Sequence, residues 1–266
     1  TVGNWQNEVH VPQLLSRKLV KMDLLEKVKV TPKLLKLLGF YTAEGRSEGR
    51  LEFVFAANEQ DLHNEVILLM EEVFGVSDPK VENTIDNSTK ITYFSHHLGR
   101  FFERLCGTGA HGKHIPSILW ELPKEYSLEY LEGFYLGDGY ITRTDKLSIT
   151  SVSKQLIREL AWLSAMHGIK AGVKAGTYQE GRVIKNKPLP TGEYWNLIIG
   201  KTSNPFIKPS KYPNQIKRAI VKSVTKKPFD GFVYDLVGVD NEAFFGGEKP
   251  ILLHNSRARD LFAQAK

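Results

Sequence analysis

The chain repeats itself at a spacing of about 94 residues, and this duplication constrains its fold more than any other feature. Gly45 and Gly139 are 94 residues apart, and Gln60 and Gln155 are 95 apart, each pair within the same local pattern. An internal repeat must be recognised before any other fold assignment, because each copy is expected to fold alike. The duplication therefore predicts two related subdomains with pseudo-two-fold symmetry, an arrangement that suits a duplex partner.

Each copy shows the hydrophobic periodicities of a helix, a strand, a second helix and a second strand, in that order. In the first copy these patterns cover residues 34–40, 51–55, 62–73 and 90–94. In the second copy they cover residues 128–137, 147–151, 156–166 and 194–199. Mixed helices and strands in this order predict an α+β fold, with the first repeat at residues 31–120 and the second at 121–212.

Positive charge is concentrated in one segment. The chain carries a net charge of +6, yet residues 170–227 contain thirteen Lys or Arg against two acids, with tyrosines and a tryptophan among them. A basic tract with interleaved aromatic residues is typical of nucleic-acid binding, although a solvated basic face would have the same composition. The residues we expect to contact nucleic acid are Arg143, Lys170, Lys174, Arg182, Lys185 and Lys187.

Several classes of protein are excluded by composition. The single cysteine, Cys106, rules out an internal disulfide and a cysteine-based zinc site, and it is expected to be a packed core residue. No apolar run approaches the length of a membrane span, and no secretion signal opens the chain, so no membrane partner is expected. We expect an intracellular, cytoplasmic protein with access to a prokaryotic nucleoid.

Both copies open with an apolar helix that ends in an acid and a glycine. Residues 37–45 read LLGFYTAEG and residues 131–139 read LEGFYLGDG. This pair of motifs resembles the signature of the LAGLIDADG homing endonucleases, in the family's usual spacing. The resemblance implies a saddle built from two αββαββα units, in which Gly39 and Gly133 let the two signature helices pack closely.

The same resemblance implies a DNA-cutting site. Glu44 and Asp138 would meet over the scissile phosphates, bind Mg²⁺ and hydrolyse both strands of a double-stranded DNA target. Glu44 replaces the more common Asp and keeps the carboxylate. A monomer is expected. The alternative is a degenerate relative that binds nucleic acid without cutting it.

A lysine is expected beside these acids. Residues 113–116 read KHIP and resemble the Lys-x-Ile-Pro element that precedes the second family signature, which makes Lys113 the active-site lysine by resemblance. The duplication predicts a partner near position 207, where Lys208 and Lys211 stand, and the choice between these two stays open.

The end of the chain has a different character. Residues 233–236 read VYDL, an aromatic-glycine element follows at 244–247, and residues 251–256 read ILLHNS. This order resembles the C-terminal splicing motifs of inteins, and it implies strands of an all-β Hint splicing domain over residues 213–255. Residues 1–30 would then be the end of the N-terminal splicing half or a linker, and residues 256–266 a host flank similar to a helix of AAA+ ATPases.

The intein resemblance implies a cofactor-free reaction. Ser256 would receive the upstream flank in transesterification, and Asn255 would cyclise and break the 255–256 peptide bond. His254 would assist as a general acid, and Asp235 would couple the two ends. The N-terminal splicing motifs do not occur in this sequence, so we expect the C-terminal piece of a split intein or a fragment of a longer one. Its partner would be an N-terminal intein half in cis or in trans, and the DNA target of the nuclease would be an inteinless copy of the host allele. In the non-cleaving alternative, the chain would act only as the C-terminal fragment of a split intein.

Overall fold

The structure, a computed structural model, describes residues 8–10, 27–179, 181, 183–184, 187–188, 191–206, 223–232, 236 and 243–254. The chain divides into two compact units, Thr1–Pro209 and Ser210–Lys266. Within the described residues, no helix is both long enough and apolar enough to cross a membrane.

Two long helices organise the first unit, and local sequence signals define their ends. Helix α1 (Pro32–Glu44) begins after Thr31, whose hydroxyl oxygen accepts a hydrogen bond from the backbone N–H of Leu34 at 3.2 Å. A proline at the first helical position is favourable because its missing N–H would have no partner there. Helix α5 (Lys124–Asp138) begins after Pro123. Each of the two helices ends on the acid of its signature motif.

The first repeat follows the order αββαββα. After a short hairpin of β1 (Glu8–His10) and β2 (Lys27–Lys29) and helix α1, its elements are β3 (Gly45–Ser47), β4 (Leu51–Ala56), α2 (Gln60–Phe74), β5 (Lys80–Asn83), β6 (Ser88–Tyr93) and α3 (His96–Cys106). The four strands β3 to β6 form an antiparallel sheet in the order β3-β4-β6-β5. The helix and strand patterns predicted from the sequence of this copy are confirmed.

The second repeat has the same sheet topology. Helix α4 (Gly109–Gly112) and a 3₁₀ turn (Ser117–Trp120) connect the copies, and the remaining elements are α5, β7 (Gly139–Ile141), β8 (Leu147–Ser151), α6 (Lys154–Met166), β9 (Ala171–Tyr178), β10 (Val183–Ile184), β11 (Lys187–Pro188), β12 (Gly192–Ile199) and a 3₁₀ turn (Lys201–Ser203). The main sheet runs β7-β8-β12-β9. Strands β7, β8, β9 and β12 thus correspond to β3, β4, β5 and β6, and the small β10–β11 hairpin is extra.

The core lies between the sheets and the helices. Phe53, Phe101, Phe102 and Tyr41 are fully buried, and their rings pack with centroid separations between 5.0 and 6.3 Å. Edge-to-face and tilted contacts of this kind add to the stability that comes from burying the rings. Cys106 is also fully buried, which confirms its prediction as a packed core residue.

The second unit contains one described hairpin. Strand β13 (Ala243–Gly246) pairs antiparallel with β14 (Ile251–His254), and Gly247 adopts a positive φ of 90° in the turn between them. Elsewhere in residues 213–255, where Hint strands are predicted, the structure describes residues 223–232, 236 and 247–250, and none of these lies in a strand. Residues 233–235 lie outside the described residues.

Candidate active site

The two signature helices cross with their backbones in contact. A methyl group on Gly133 would lie 2.1 Å from the carbonyl oxygen of Lys36, and one on Gly39 would lie 2.2 Å from the carbonyl oxygen of Tyr130. No side chain fits at either position, because close-packed interiors do not tolerate such overlaps. The close crossing predicted from the two glycines is therefore present.

The crossing brings the carboxylate ends of α1 and α5 together. A methyl group on Gly137 would lie 2.6 Å from Cβ of Ala43 and 3.0 Å from Cγ of Glu44. The Glu44 side chain therefore lies against the last turn of α5, one residue from Asp138. Glu44 is half-buried, whereas Asp138 keeps more of its surface exposed.

The two acids resist ionisation. Burial is the largest cause that raises the pKa of Glu44 to about 8; the charges of Asp138 and Glu59 act in the same direction, and the charge of Lys113 opposes them. Burial also raises the pKa of Asp138 to about 6, again opposed by Lys113. Two neighbouring carboxylates in a partly desolvated position favour binding of a cation, since a cation relieves both their repulsion and their desolvation.

Lys113 lies beside the acids but makes its hydrogen bonds elsewhere. Its ammonium group donates to the backbone carbonyls of Tyr41 and of Gly45, the latter at 2.7 Å, and lies 3.8 Å from the centre of the Tyr41 ring. Burial lowers the pKa of Lys113 to about 8, and the neighbouring Glu44 and Asp138 oppose that shift. Only 6% of Lys113 is exposed, so the lysine is buried against the end of α1.

The donor set fits a hard divalent cation. Across the residues that the structure describes, no group of three or more His, Cys, Asp or Glu side chains converges on one point. Glu44 and Asp138 lie close enough together for both carboxylates to contact one cation at this position. A site with only two carboxylates suits Mg²⁺, which keeps several waters and completes its shell with substrate phosphate oxygens.

The face of the first sheet turned away from the helices carries a charge cluster that sequence reasoning missed. Glu52 of β4 is 2% exposed and pairs with Nε of Arg46 and, at 2.7 Å, with Nε of Arg50. Lys90 of β6 lies 4.0 Å from the same carboxylate. Hydrogen bonds and charge from the two arginines lower the pKa of Glu52 against the effect of its burial. The strand register Arg46↔Glu52 is the signal that would have revealed this cluster.

The corresponding face of the second sheet is less charged. On β9, Lys174 is exposed opposite Asn196, and the ring of Tyr194 lies across Gly176 and packs on Tyr178 with centroids 4.6 Å apart. A methyl group on Gly176 would lie 2.4 Å from Cζ of Tyr194, so the glycine makes room for the ring.

The structure locates only some of the predicted nucleic-acid contacts. Arg143 is exposed in the turn between β7 and β8, and Lys170 is exposed directly before β9. Only the backbone of Lys187 is described, in β11, while Arg182 and Lys185 lie outside the described residues. Three of the predicted contacts have described, exposed side chains, and all three belong to the second repeat: Arg143, Lys170 and Lys174.

The structure does not locate the second lysine predicted for the site. Lys208 and Lys211 lie outside the described residues. Their prediction assumed a constant spacing of 94 residues, but the sheet register pairs Leu51 with Tyr93 in the first repeat and Leu147 with Ile199 in the second. Leu147 therefore corresponds to Leu51, 96 residues earlier, and Ile199 corresponds to Tyr93, 106 residues earlier. The β10–β11 insertion accounts for the difference, so the spacing argument does not extend beyond β9.

Of the predicted splicing residues, only the backbone of His254 is described. It is the last residue of β14 and pairs with Ala243. Asp235, Asn255 and Ser256 lie outside the described residues, and their roles remain predictions.

Comparison with known families identifies part of this architecture. Residues 125–203 match the family described as LAGLIDADG-like domain. The match begins in α5, includes the DG of the second signature and extends to the turn after β12. The match lies entirely within the second repeat and covers most of it.

Similar proteins extend the match to most of the chain. A DNA polymerase of Thermococcus kodakarensis is 27% identical over 276 residues, and a replication factor C small subunit of Methanocaldococcus jannaschii is 25% identical over 292 residues. These alignments cover 86% and 85% of this chain but 16% of each relative, so the chain spans about a sixth of the length of these curated relatives. Among solved structures, the homing endonuclease I-DmoI in complex with DNA and Ca aligns with a TM-score of 0.44 and 13% identity, over 64% of this chain and 83% of that one.

Proposed function

We propose that residues 31–212 form a LAGLIDADG homing endonuclease that hydrolyses both strands of a double-stranded DNA target. The observation that carries this proposal is the helix crossing, which places the Glu44 side chain against the turn that ends in Asp138. Two acids that share a partly buried position and have raised pKa values fit a cation-dependent phosphodiester hydrolysis better than they fit a structural role.

In this proposal, Glu44 and Asp138 would hold a divalent cation. The cation would supply an activated water and would stabilise the leaving oxygen of an in-line displacement. The buried positive charge of Lys113 lies close enough to both acids to affect their pKa values, and it would favour the additional negative charge of the transition state.

The DNA would lie across the open faces of the two sheets. Each sheet begins next to one of the two acids, because β3 starts directly after Glu44 and β7 starts directly after Asp138. Arg143, Lys170 and Lys174 are exposed on the second repeat and would contact phosphates, and the Tyr178–Tyr194 pair would contact sugars or bases.

A library selection tests this function without knowledge of the target. A pool of plasmids with random inserts is incubated with the protein and Mg²⁺, and the cut ends are sequenced to find the target. We expect wild type to linearise a selected plasmid and Asp138→Asn to bind the target while leaving it uncut. A variant that still linearises the plasmid would contradict the assignment. Binding by wild type without any cutting would favour the non-cleaving alternative.

We further propose that this nuclease is part of an intein whose C-terminal splicing residues are His254, Asn255 and Ser256. The same segment matches about a sixth of a DNA polymerase and about a sixth of a replication factor C subunit, which supports a segment inserted into different host proteins. The β13–β14 hairpin also supports this reading. Among the described residues the hairpin has two strands, and its apolar residues 251–253 are between 42% and 63% exposed. A two-stranded hairpin by itself is only marginally stable, so strands supplied by an N-terminal intein half would stabilise it.

Mass spectrometry tests the splicing proposal. The chain is mixed with an N-terminal intein half, and release or transfer of residues 256–266 is followed over time. We expect Asn255→Ala to keep these residues attached, because the side-chain amide that cyclises is gone. If the wild-type chain never loses them, the splicing proposal fails and the nuclease proposal is unaffected.

A further inference from the structure

The backbone around Lys113 is attached to the second repeat. The carbonyl oxygen of Lys113 accepts a hydrogen bond from the Ser153 hydroxyl at 2.9 Å, and the N–H of Ile115 donates to the carboxylate of Glu159 at 2.9 Å. Ser153 is the N-cap of α6, and Glu159 lies in the same helix. Residues 113–115 therefore form a strap that is tied to the start of α6.

The side chain of Lys113 is attached to the first repeat. Its ammonium group donates to the carbonyls of Tyr41 and Gly45, at the C-terminal end of α1. The Tyr41 carbonyl also accepts from the N–H of Gly45, so the lysine adds a second hydrogen bond at the end of the helix, where its charge interacts favourably with the helix dipole. In the sequence, Glu44 lies between Tyr41 and Gly45, the two residues that the ammonium group contacts.

We propose that Ser153 and Glu159 are positioning residues of the nuclease site. They hold the strap, the strap holds the Lys113 ammonium group at the end of α1, and that contact keeps Glu44 against Asp138. This inference rests on the proposed nuclease function. Neither Ser153 nor Glu159 reaches the reacting atoms in this scheme, and each acts through Lys113.

The burial of these groups explains why the ties matter. Ser153 is 2% exposed and Lys113 is 6% exposed, so a strap that moved away would leave a buried carbonyl and a buried ammonium group without partners. The second carboxylate oxygen of Glu159 accepts from the amide nitrogen of Gln155, one turn earlier in α6, at 2.8 Å. The strap is therefore attached to α6 at two positions, Ser153 and Glu159.

Two variants remove the ties with little other change. Ser153→Gly removes the hydroxyl donor, and because glycine is an acceptable N-cap the start of α6 should be retained. Glu159→Ala removes the acceptor for Ile115, whereas Glu159→Gln keeps an acceptor oxygen and should behave like wild type. Glu72→Ala is the matched control, because it removes the same charge from an exposed ion pair with Lys33.

The first measurement is the single-turnover cleavage rate with saturating protein, on the DNA target selected with wild type. We expect Ser153→Gly and Glu159→Ala to lower this rate by about 10-fold or more, as changes in residues that support a site commonly do, without weaker DNA binding. Glu159→Gln and Glu72→Ala should retain the wild-type rate. In a Lys113→Met background the Ser153→Gly and Glu159→Ala changes should have no further effect, since the group they position is gone.

The second measurement does not require activity. The folded proteins are treated with an amine-acylating reagent, and labelling of Lys113 is compared by mass spectrometry with labelling of the exposed Lys174. We expect the Lys113 to Lys174 ratio to rise in Ser153→Gly and Glu159→Ala and to stay at the wild-type value in Glu72→Ala. An unchanged ratio in both strap variants would overturn the proposal. If wild type cuts no DNA, the nuclease proposal fails, and the labelling ratio alone then decides whether the strap positions Lys113.

Discussion

The two repeats agree where their helices meet and differ where their sheets are open. At the crossing, both copies carry the tripeptide Gly-Phe-Tyr, and the two glycines have equivalent contacts with the opposite backbone, at 2.2 and 2.1 Å. On the sheets, the carboxylate of Glu52 in the first repeat corresponds in register to the hydroxyl of Ser148 in the second. At the crossing, only glycine fits at these two positions, because any side chain would overlap the opposite backbone. The open faces of the sheets accept side chains of different charge.

This difference gives the two halves unequal electrostatic roles. In the first repeat, Arg46 and Arg50 are bound to Glu52, so their charges are already partly neutralised. In the second repeat, Lys174 lies opposite the neutral Asn196. We therefore expect the second repeat to supply more of the attraction for DNA, and the first to present a more rigid surface.

The largest expected effect is on the helix crossing. Gly39→Ala and Gly133→Ala should each lower the free energy of unfolding by about 3 kcal/mol or more, because each new methyl group would overlap a backbone oxygen. Urea denaturation measures both values. Gly112→Ala is the control, since no atom lies within 4 Å of a methyl group there. If the two variants lower the free energy of unfolding by different amounts, the two sides of the crossing are unequal in energy although their contact distances are nearly equal.

The next effect concerns the charge cluster. Glu52→Gln should lower the free energy of unfolding by about 1.5 to 3 kcal/mol, because buried hydrogen bonds to a charged acceptor are lost. Ser148→Ala, at the corresponding position, should cost less. Because the pKa of Glu52 is lowered in the folded protein, its contribution is present above the unfolded pKa and is lost as the pH falls through the folded pKa. A Glu52→Gln protein that is as stable as wild type at neutral pH would contradict this account.

The two acids of the candidate active site should show the opposite pH dependence. Their pKa values are raised in the folded protein, so without metal they lower stability as the pH rises through the unfolded pKa toward the folded pKa. In EDTA at pH 8, Glu44→Gln should raise the free energy of unfolding by at least about 1 kcal/mol, and Asp138→Asn by less because its pKa is shifted less. Both gains should shrink near pH 4, and chemical denaturation at the two pH values measures them.

The smallest expected effect is on the salt dependence of DNA binding. Replacing Lys170 and Lys174 with alanine should reduce the slope of log K against log salt by about 0.9 for each phosphate that the protein no longer neutralises. Replacing Arg50 with alanine should change the slope less, because that side chain is paired with Glu52. Titrations at several salt concentrations measure both slopes. Equal changes would remove the proposed difference between the two repeats.

The sequence predicts the architecture of the first unit well, because its long helices and central strands have clear periodicity. Helix α2, for example, ends where Gly75 adopts a left-handed conformation with a φ of 68°. The edge strands escape prediction because they are short or exposed. Strand β3 has three residues, and all four residues of β5 are exposed. Strand β9 lies within the basic tract, and the exposed residues of this strand outnumber its buried ones.

The candidate site is predictable only in part. Glu44, Asp138 and Lys113 follow from the repeated motif and its resemblance to a known family, and the structure brings all three to one end of the helix crossing. Ser153 and Glu159 cannot be found this way, because they lie 40 and 44 residues from their partners in the strap. Such contacts depend on how the two repeats dock, which local sequence patterns do not encode.

Strand-resolved cleavage tests the central claim most directly, namely that Glu44 and Asp138 act as one pair. A duplex of the selected target is labelled differently on each strand and incubated with wild type, Glu44→Gln or Asp138→Asn in Mg²⁺. We predict that wild type cuts both strands and that each variant binds the duplex but cuts neither strand. If either variant still cuts one strand at the wild-type rate, the two carboxylates work independently and the account is contradicted.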